Sequence, residues 1–259
     1  MDIAQYFSES DGAVSFSEEQ ASAFAKGIAG DFNPIHDPQS KRFCVPGDLL
    51  FSVLLNRYGV AQKTRVRFSG MLDGSTRMLM PASIESDADI TDAKDRALLS
   101  LSLEGPRFTD PTFIAQLSNE YVHFSGQTFP DILVRLMREA DVMINPDRPL
   151  VIYRDMAIEL NDSAVEMFLP AADGQSSISS DTSTSQLSLK LANTDLTANG
   201  RKGLVRLNFS IAVGETIIGT GEKNMVLSGL REYEESAMQQ IVDQYNLRRE
   251  SYTENKNAL

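Results

Sequence analysis

The sequence predicts an α+β fold given twice over. Three observations carry this. The segment Leu49-Leu50-Phe51-Ser52-Val53-Leu54-Leu55-Asn56-Arg57-Tyr58-Gly59 has helical character, is apolar almost all round, and precedes a run of strand-like segments. A second apolar helical stripe (Phe129, Ile132, Leu133, Leu136, Met137, Ala140, Met143) precedes a second such run. The two are separated by roughly 85 residues, longer than a solenoid repeat and suited to a duplicated domain.

The elements follow in order. Ser17 is a good helix N-cap, with Gln20 at the capping-box position, and Ala21, Phe24, Ala25 and Ile28 share one face up to Gly30, so 17–29 reads as a helix. Pro46-Gly47-Asp48 introduces the apolar helix, and Gly59 stops it. Strands are expected over 64–72, 75–85 and 97–104, with Met71-Leu72-Asp73-Gly74 as a turn between the first two. In the second half, 112–124 reads as a helix, and strands are expected over 151–160, 164–169, 186–192, 203–213 and 216–227. Val213-Gly214-Glu215-Thr216 has hairpin-turn composition. Asp173 to Ser185 is rich in Ser, Thr and Asp and reads as a loop. Arg231 to about Arg249 reads as an amphipathic helix with Tyr233, Met238, Ile241, Val242 and Tyr245 on its apolar side, followed by a frayed tail over 250–259. The expected division is a first repeat at 1–108, a second at 109–229, and the helix and tail at 230–259.

Composition narrows the function classes. Apolar residues make up 42% and charged residues 23%, an ordinary globular balance. No run of roughly 18 apolar residues occurs, so a membrane span is not expected. The start Met1-Asp2-Ile3-Ala4-Gln5 is not a signal peptide, and Cys44 as sole cysteine forms no internal disulfide, which together favour the cytoplasm. The net charge of −12 disfavours nucleic acid and anionic lipid. It also disfavours a phosphate-bearing ligand unless local cations intervene, for which Lys41, Arg42, Lys63, Arg65 and Arg67 are candidates. Two histidines, one cysteine and no metal-ligand spacing argue against zinc, and no cofactor motif is present. The glycines around Gly214 and Gly219 lack the lysine and following helix of a phosphate loop, and no G-x-S-x-G elbow occurs.

The chemistry concentrates in Gly30-Asp31-Phe32-Asn33-Pro34-Ile35-His36-Asp37-Pro38-Gln39. One carboxylate and one of the two histidines stand five residues apart in a segment that Asn33-Pro34 forces to turn, a pairing suited to proton transfer with water. The bland readings are a capping Asp31 and a structural His36. His123, among Tyr121, Val122 and Phe124, reads as structural, and Cys44 as a small buried apolar residue.

This loop, with the glycine at the start of the apolar helix, resembles the G-D-x-N-P-x-H signature of the MaoC-type, or (R)-specific, enoyl-CoA hydratases over roughly residues 16–58. The chain as a whole also resembles an uncharacterised bacterial family of unknown function. The hydratase resemblance implies a double hot-dog fold, each repeat a long helix wrapped by an antiparallel sheet. It implies an acyl thioester of CoA or acyl carrier protein as ligand. Asp31 and His36 would activate water for addition to an enoyl thioester, the Gly47 amide would polarise the carbonyl, and Asn33 would brace the loop. The sequence departs from that pattern in having Pro46 where His commonly precedes the glycine, and Asp37 directly after His36. The second half offers Phe124-Ser125-Gly126-Gln127-Thr128 in the equivalent place, without carboxylate or imidazole, so one site per chain is expected, with the second half supplying a tunnel wall. A thioesterase and a non-catalytic acyl-thioester binder remain alternatives. A duplicated chain already mimics a dimer, so a monomer and a homodimer both stay open.

Overall fold

A computed structural model describes residues 2–146, 150–169 and 186–257. Short strands β1 (Ser8–Ser10) and β2 (Ala13–Ser15) lead into α1 (Glu18–Phe24), then α2 (Gly47–Tyr58) and the strands β3 (Val60–Phe68), β4 (Arg77–Leu79), β5 (Asp87–Thr91) and β6 (Ala97–Phe108). The second half has α3 (Pro111–Gly126), α4 (Leu133–Glu139), β7 (Val142–Met143), β8 (Val151–Leu160), α5 (Asp162–Phe168), β9 (Leu187–Asn199), β10 (Lys202–Val213), β11 (Thr216–Ser228), β12 (Arg231–Glu232) and α6 (Glu235–Asn257). The fold is α+β, with helices against one large antiparallel sheet.

Ten strands pair in the order β1-β2-β4-β5-β6-β3-β8-β11-β10-β9. In each half the long strand after the helical segment pairs with the last strand of that half: β3 with β6, and β8 with β11. The halves join where β3 and β8 pair antiparallel, from Lys63 opposite Glu159 to Arg67 opposite Asp155. Alternation along β3 sends Thr64 and Val66 inward and Lys63 and Arg67 outward, so the sheet is oily on one face and charged on the other.

The inward face wraps α2, whose Leu49, Leu50, Phe51, Val53, Leu54 and Leu55 are all buried. Almost no polar face is left, because α2 is covered by the sheet on one side and by α3 on the other. The two helices meet through a hydrogen bond between Ser52 and Ser118 hydroxyls at 2.9 Å and a stacked Phe51–Tyr121 pair with centroids 4.7 Å apart. Stacking of this kind adds about 0.5–1.5 kcal/mol beyond area burial.

Several boundaries differ from expectation. The 164–169 segment is helical, not a strand: Asn161 caps α5 by accepting from the Ala164 amide, and local capping overrides a short apolar run. Only Arg77–Leu79 of the expected 75–85 strand pairs, and β5, too polar to read as a strand, was missed because it alternates with only Ile90 fully buried. The first strand begins at Val60 and ends at Phe68, four residues earlier than expected at each end. The stripe from Phe129 is broken, since Phe129 itself is extended (φ −119°, ψ 134°) and regular helix resumes at Leu133. α6 does not fray at 250 but continues to Asn257. The loop expected over Asp173 to Ser185 lies outside the described residues.

The end of α3 fixes the loop that carries Asp31. A Cβ on Gly126 would stand 2.5 Å from the Ala29 carbonyl oxygen and 3.4 Å from the Gly30 Cα, so only glycine admits this approach. Gly126→Ala is therefore expected to cost about 1–3 kcal/mol in urea unfolding. The ring resonances of His36 should shift in the same variant, because the backbone that must give way is the loop's own.

Candidate functional site

The loop is built from its own hydrogen bonds. Ser17 and Gln20 form a reciprocal capping box at the start of α1. The helix then widens over Ala25–Ala29 and ends on Gly30 in the left-handed conformation (φ 66°). The Asp31 amide donates to the Ala25 carbonyl at 2.8 Å, turning the chain out of the helix. Asp31 Oδ1 accepts from the Asn33 amide at 2.9 Å, and Asn33 Oδ1 accepts from the Ile35 amide at 3.3 Å, two successive Asx turns. A short helical turn over Pro34–His36 follows, and the Cys44 amide closes back on the Ile35 carbonyl at 2.9 Å.

These turns bring Asp31 and His36 face to face. His36 is buried, and its Nδ1 lies 2.7 Å from the Cys44 carbonyl oxygen. A carbonyl can only accept, so Nδ1 carries the proton. Nε2 is left pointing at Asp31 Oδ2, 3.5 Å away. With the imidazole neutral, two acceptors oppose each other; a proton on Nε2, or a water donating to both, resolves the conflict. Burial alone pushes the His36 pKa down, but the Asp31 hydrogen bond and charge, the Cys44 carbonyl and the more distant Asp48 outweigh it, and the net direction is up.

Asp31, Asn33, His36 and Gly47 all line one cavity of about 470 Å³. A volume of this size suits a small-molecule ligand. Its walls are largely apolar, including Leu50, Phe68, Leu72, Leu133 and Met225. Ser125, Thr128 and Phe129, from the end of α3 and the turn after it, also line the cavity. Gly47 is the first residue of α2, where the amide has no acceptor within the helix. A Cβ there would come within 2.8 Å of Tyr153 Cδ2, so glycine lets the β8 tyrosine lie against the helix start.

Behind this helix start is a polar cluster that sequence reasoning missed. Lys223 is fully buried, and its ammonium donates to Asp48 Oδ1 at 2.9 Å, the Tyr121 carbonyl at 2.6 Å and the Ser125 hydroxyl. All three donors are thereby used. The ammonium also lies 4.4 Å from the Tyr121 ring centroid. Ser125 in turn shares a hydrogen bond of 2.9 Å with the Tyr153 hydroxyl. Desolvation pulls the Lys223 pKa down, and Asp48 opposes it.

The C-terminal helix supplies another wall. Tyr245 is buried; its hydroxyl accepts from the Phe32 amide and donates to the Gly30 carbonyl, both at 3.2 Å. Its ring meets Phe32 and Phe129 edge to face, with centroids 5.8 and 5.0 Å apart. Ile241, Gln244 and Arg248 complete this side.

Some candidates fall elsewhere. Lys63, Arg65 and Arg67 line a separate depression on the outer face of the sheet, where Lys63 pairs with Glu159 at 3.7 Å and Arg65 with Asp155 at 2.6 Å. Lys41 and Arg42 are exposed and do not line the main cavity. Among the described residues, the arginines that do line it are Arg154 and Arg248. Cys44 is buried, and burial pushes its thiol up to about 11, so it is no nucleophile. Asp37 is held by Lys26 at 2.6 Å and does not line the cavity. Among the described residues, no group of three or more His, Cys, Asp or Glu side chains is arranged to hold a metal ion. Nor is any helix among them long and apolar enough to cross a membrane.

An α+β chain of this kind, with an apolar cavity and an acid–imidazole pair at its edge, belongs to the protein family of unknown function DUF3581, whose profile matches residues 1–236. No curated protein is significantly similar to it. Among solved structures, the acyl-CoA thioesterase II TesB2 from Mycobacterium marinum is similar at 9% identity and a TM-score of 0.38, over 91% of this chain and 99% of that one.

Two outcomes follow. Lys223→Met leaves Asp48 buried and unpaired and is expected to cost about 3–5 kcal/mol in denaturant unfolding, with much of the loss recovered when Asp48 is made Leu as well. The folded-state pKa of His36 lies above its ordinary 6.5, so its stabilising contribution is complete below that value and is lost as pH rises through the folded value. The stability advantage of wild type over His36→Gln should thus be largest in mild acid and shrink toward alkaline pH. Asp31→Asn should move the His36 ring titration downward in an NMR series.

Proposed function

We propose that the chain is a double hot-dog protein, with repeats over 1–108 and 109–229, that binds an acyl thioester and directs water on to it. The acyl chain occupies the apolar cavity. The observation that carries the reading is the opposition of His36 Nε2 and Asp31 Oδ2 across 3.5 Å at the cavity edge. Two acceptors at that spacing suit a water that gives each a hydrogen and keeps a lone pair for attack. Asn33 braces the loop, and the Gly47 amide at the start of α2 polarises the thioester carbonyl, where unpaired donors and the helix dipole favour developing negative charge. The match to the hydratase signature at Gly30, Asp31, Asn33, Pro34, His36 and Gly47 supports the same assignment.

Hydration of an enoyl thioester uses both members of the pair. One group takes a proton from water as its oxygen bonds to the β-carbon, and a proton is delivered to the α-carbon as the double bond is consumed. Hydrolysis differs: one group takes a proton from water as its oxygen bonds to the carbonyl carbon, the C–S bond breaks, and the departing sulfur takes up a proton. Binding without turnover is the second reading. It is favoured by Pro46, which removes a polar side chain from beside the carbonyl position, and by the Tyr153 ring packed against Gly47.

Purified protein offered crotonyl-CoA and octenoyl-CoA is expected to consume the conjugated enoyl absorbance. Asp31→Asn and His36→Gln should each lower the rate by about 10²–10⁴-fold when assayed at a pH and temperature where the variant remains folded. Release of free thiol instead assigns hydrolysis, and thermal stabilisation with neither product assigns a binder. Absence of all three overturns the proposal.

A further inference from the structure

We propose that Arg154 and Arg248 form a phosphate-binding mouth to the cavity, so that the thioester is presented by a phosphate-bearing carrier of the CoA type. This rests on the acyl-thioester reading and adds the recognition of the ligand's other end. The chain carries a net charge of −12, which repels anionic ligands at long range. Yet among the described residues the charged groups lining the cavity are the Asp31–His36 pair and these two arginines.

Their placement is specific. In the pairing of β8 with β11, Asp155 stands opposite Asn224 and Tyr153 opposite Met225, which leaves Arg154 as the extra residue of a β-bulge. A bulge swings one side chain out of the strand's alternation, here to the cavity. Arg154 Nε donates to Asp155 Oδ2 at 2.7 Å, which orients the guanidinium and, among the described residues, leaves its terminal N–H groups unspent. That carboxylate is already shared with Arg65 at 2.6 Å and with the Asn224 amide at 2.8 Å, so it does not neutralise Arg154 alone. Arg248 reaches the same cavity from α6, is exposed, and makes no ion pair among the described residues.

Two planar guanidinium forks match phosphate oxygens bidentately, which a carbonyl or a hydroxyl does not require. A nucleotide-type phosphate needs only local cations, which these two arginines supply at the cavity wall. A folded acidic carrier protein would have to lay a wide surface against the chain's overall negative charge, so a free CoA-type thioester fits better.

The test compares a saturated acyl-CoA with the same acyl group on pantetheine, which lacks every phosphate, by titration calorimetry. Wild type should bind the acyl-CoA at least about tenfold more tightly than the acyl-pantetheine. In the Arg154→Gln, Arg248→Gln double variant this preference should vanish while acyl-pantetheine affinity stays unchanged. Arg248→Gln alone, at an exposed and unpaired position, should remove part of the preference with no change in melting temperature. Equal wild-type affinity for the two ligands, or a preference untouched by the variants, overturns the inference and spares the acyl-thioester reading. A preference for the acyl group on carrier protein over acyl-CoA overturns it too. If neither thioester binds, the reading it rests on falls with it.

Discussion

The ion pair between Lys223 and Asp48 is the constraint around which the rest is arranged. An ammonium and a carboxylate are both withdrawn from water, at 2.9 Å, in the middle of an oily core. Such a pair is tolerable only when every donor is used, and here the Tyr121 carbonyl and the Ser125 hydroxyl use the remaining two. The consequence is geometric. Asp48 is the second residue of α2, Lys223 lies on β11, and Ser125 and Tyr121 lie on α3. One charge centre therefore fixes the start of the central helix of the first half against two elements of the second. Gly47, next in the chain to Asp48, inherits that fixed position.

The loop bearing Asp31 and His36 is held by a different set of forces. Its hydrogen bonds are mostly local, within a few residues, and its distant anchors are Gly126 and Tyr245. The cavity is thus bounded on one side by a rigid charge-locked helix start and on another by a loop clamped from outside. The gap between them is set by both supports, of which Tyr245 also lines the cavity while Lys223 and Asp48 do not.

The apolar helices and long strands were legible because their signals are local and strong: a capping box at Ser17, glycine stops at Gly30 and Gly59, and inward alternation along β10 and β11. The juxtaposition of Asp31, His36 and Gly47 was legible through a spaced motif. What stayed hidden depended on contacts between distant segments. Lys223 occupies an inward position of β11, in step with Gly221, Met225 and Leu227, and Asp48 opens an otherwise buried helix. Each was a detectable anomaly alone, but nothing in the chain says that they meet across 175 positions. Arg154 was hidden for another reason: its exit from the strand is caused by a register shift that only the paired strand reveals. The misread helix at Asp162–Phe168 shows a cap of one asparagine prevailing over a short run of apolar residues.

The helix that carries Tyr245 has a consequence for the shape of the site. It joins the enclosure through side chains, the Tyr245 phenol and the apolar Met238, Ile241 and Val242 among them, and is not a strand of the ten-stranded sheet. It also lies almost wholly beyond the residues that the family profile spans. One wall of the cavity is therefore supplied by this appended helix, while Asp31, His36 and Gly47 fall within the profile. A change at Tyr245 would be felt in the loop as well as in the cavity wall, which ties the geometry there to a segment outside the family profile.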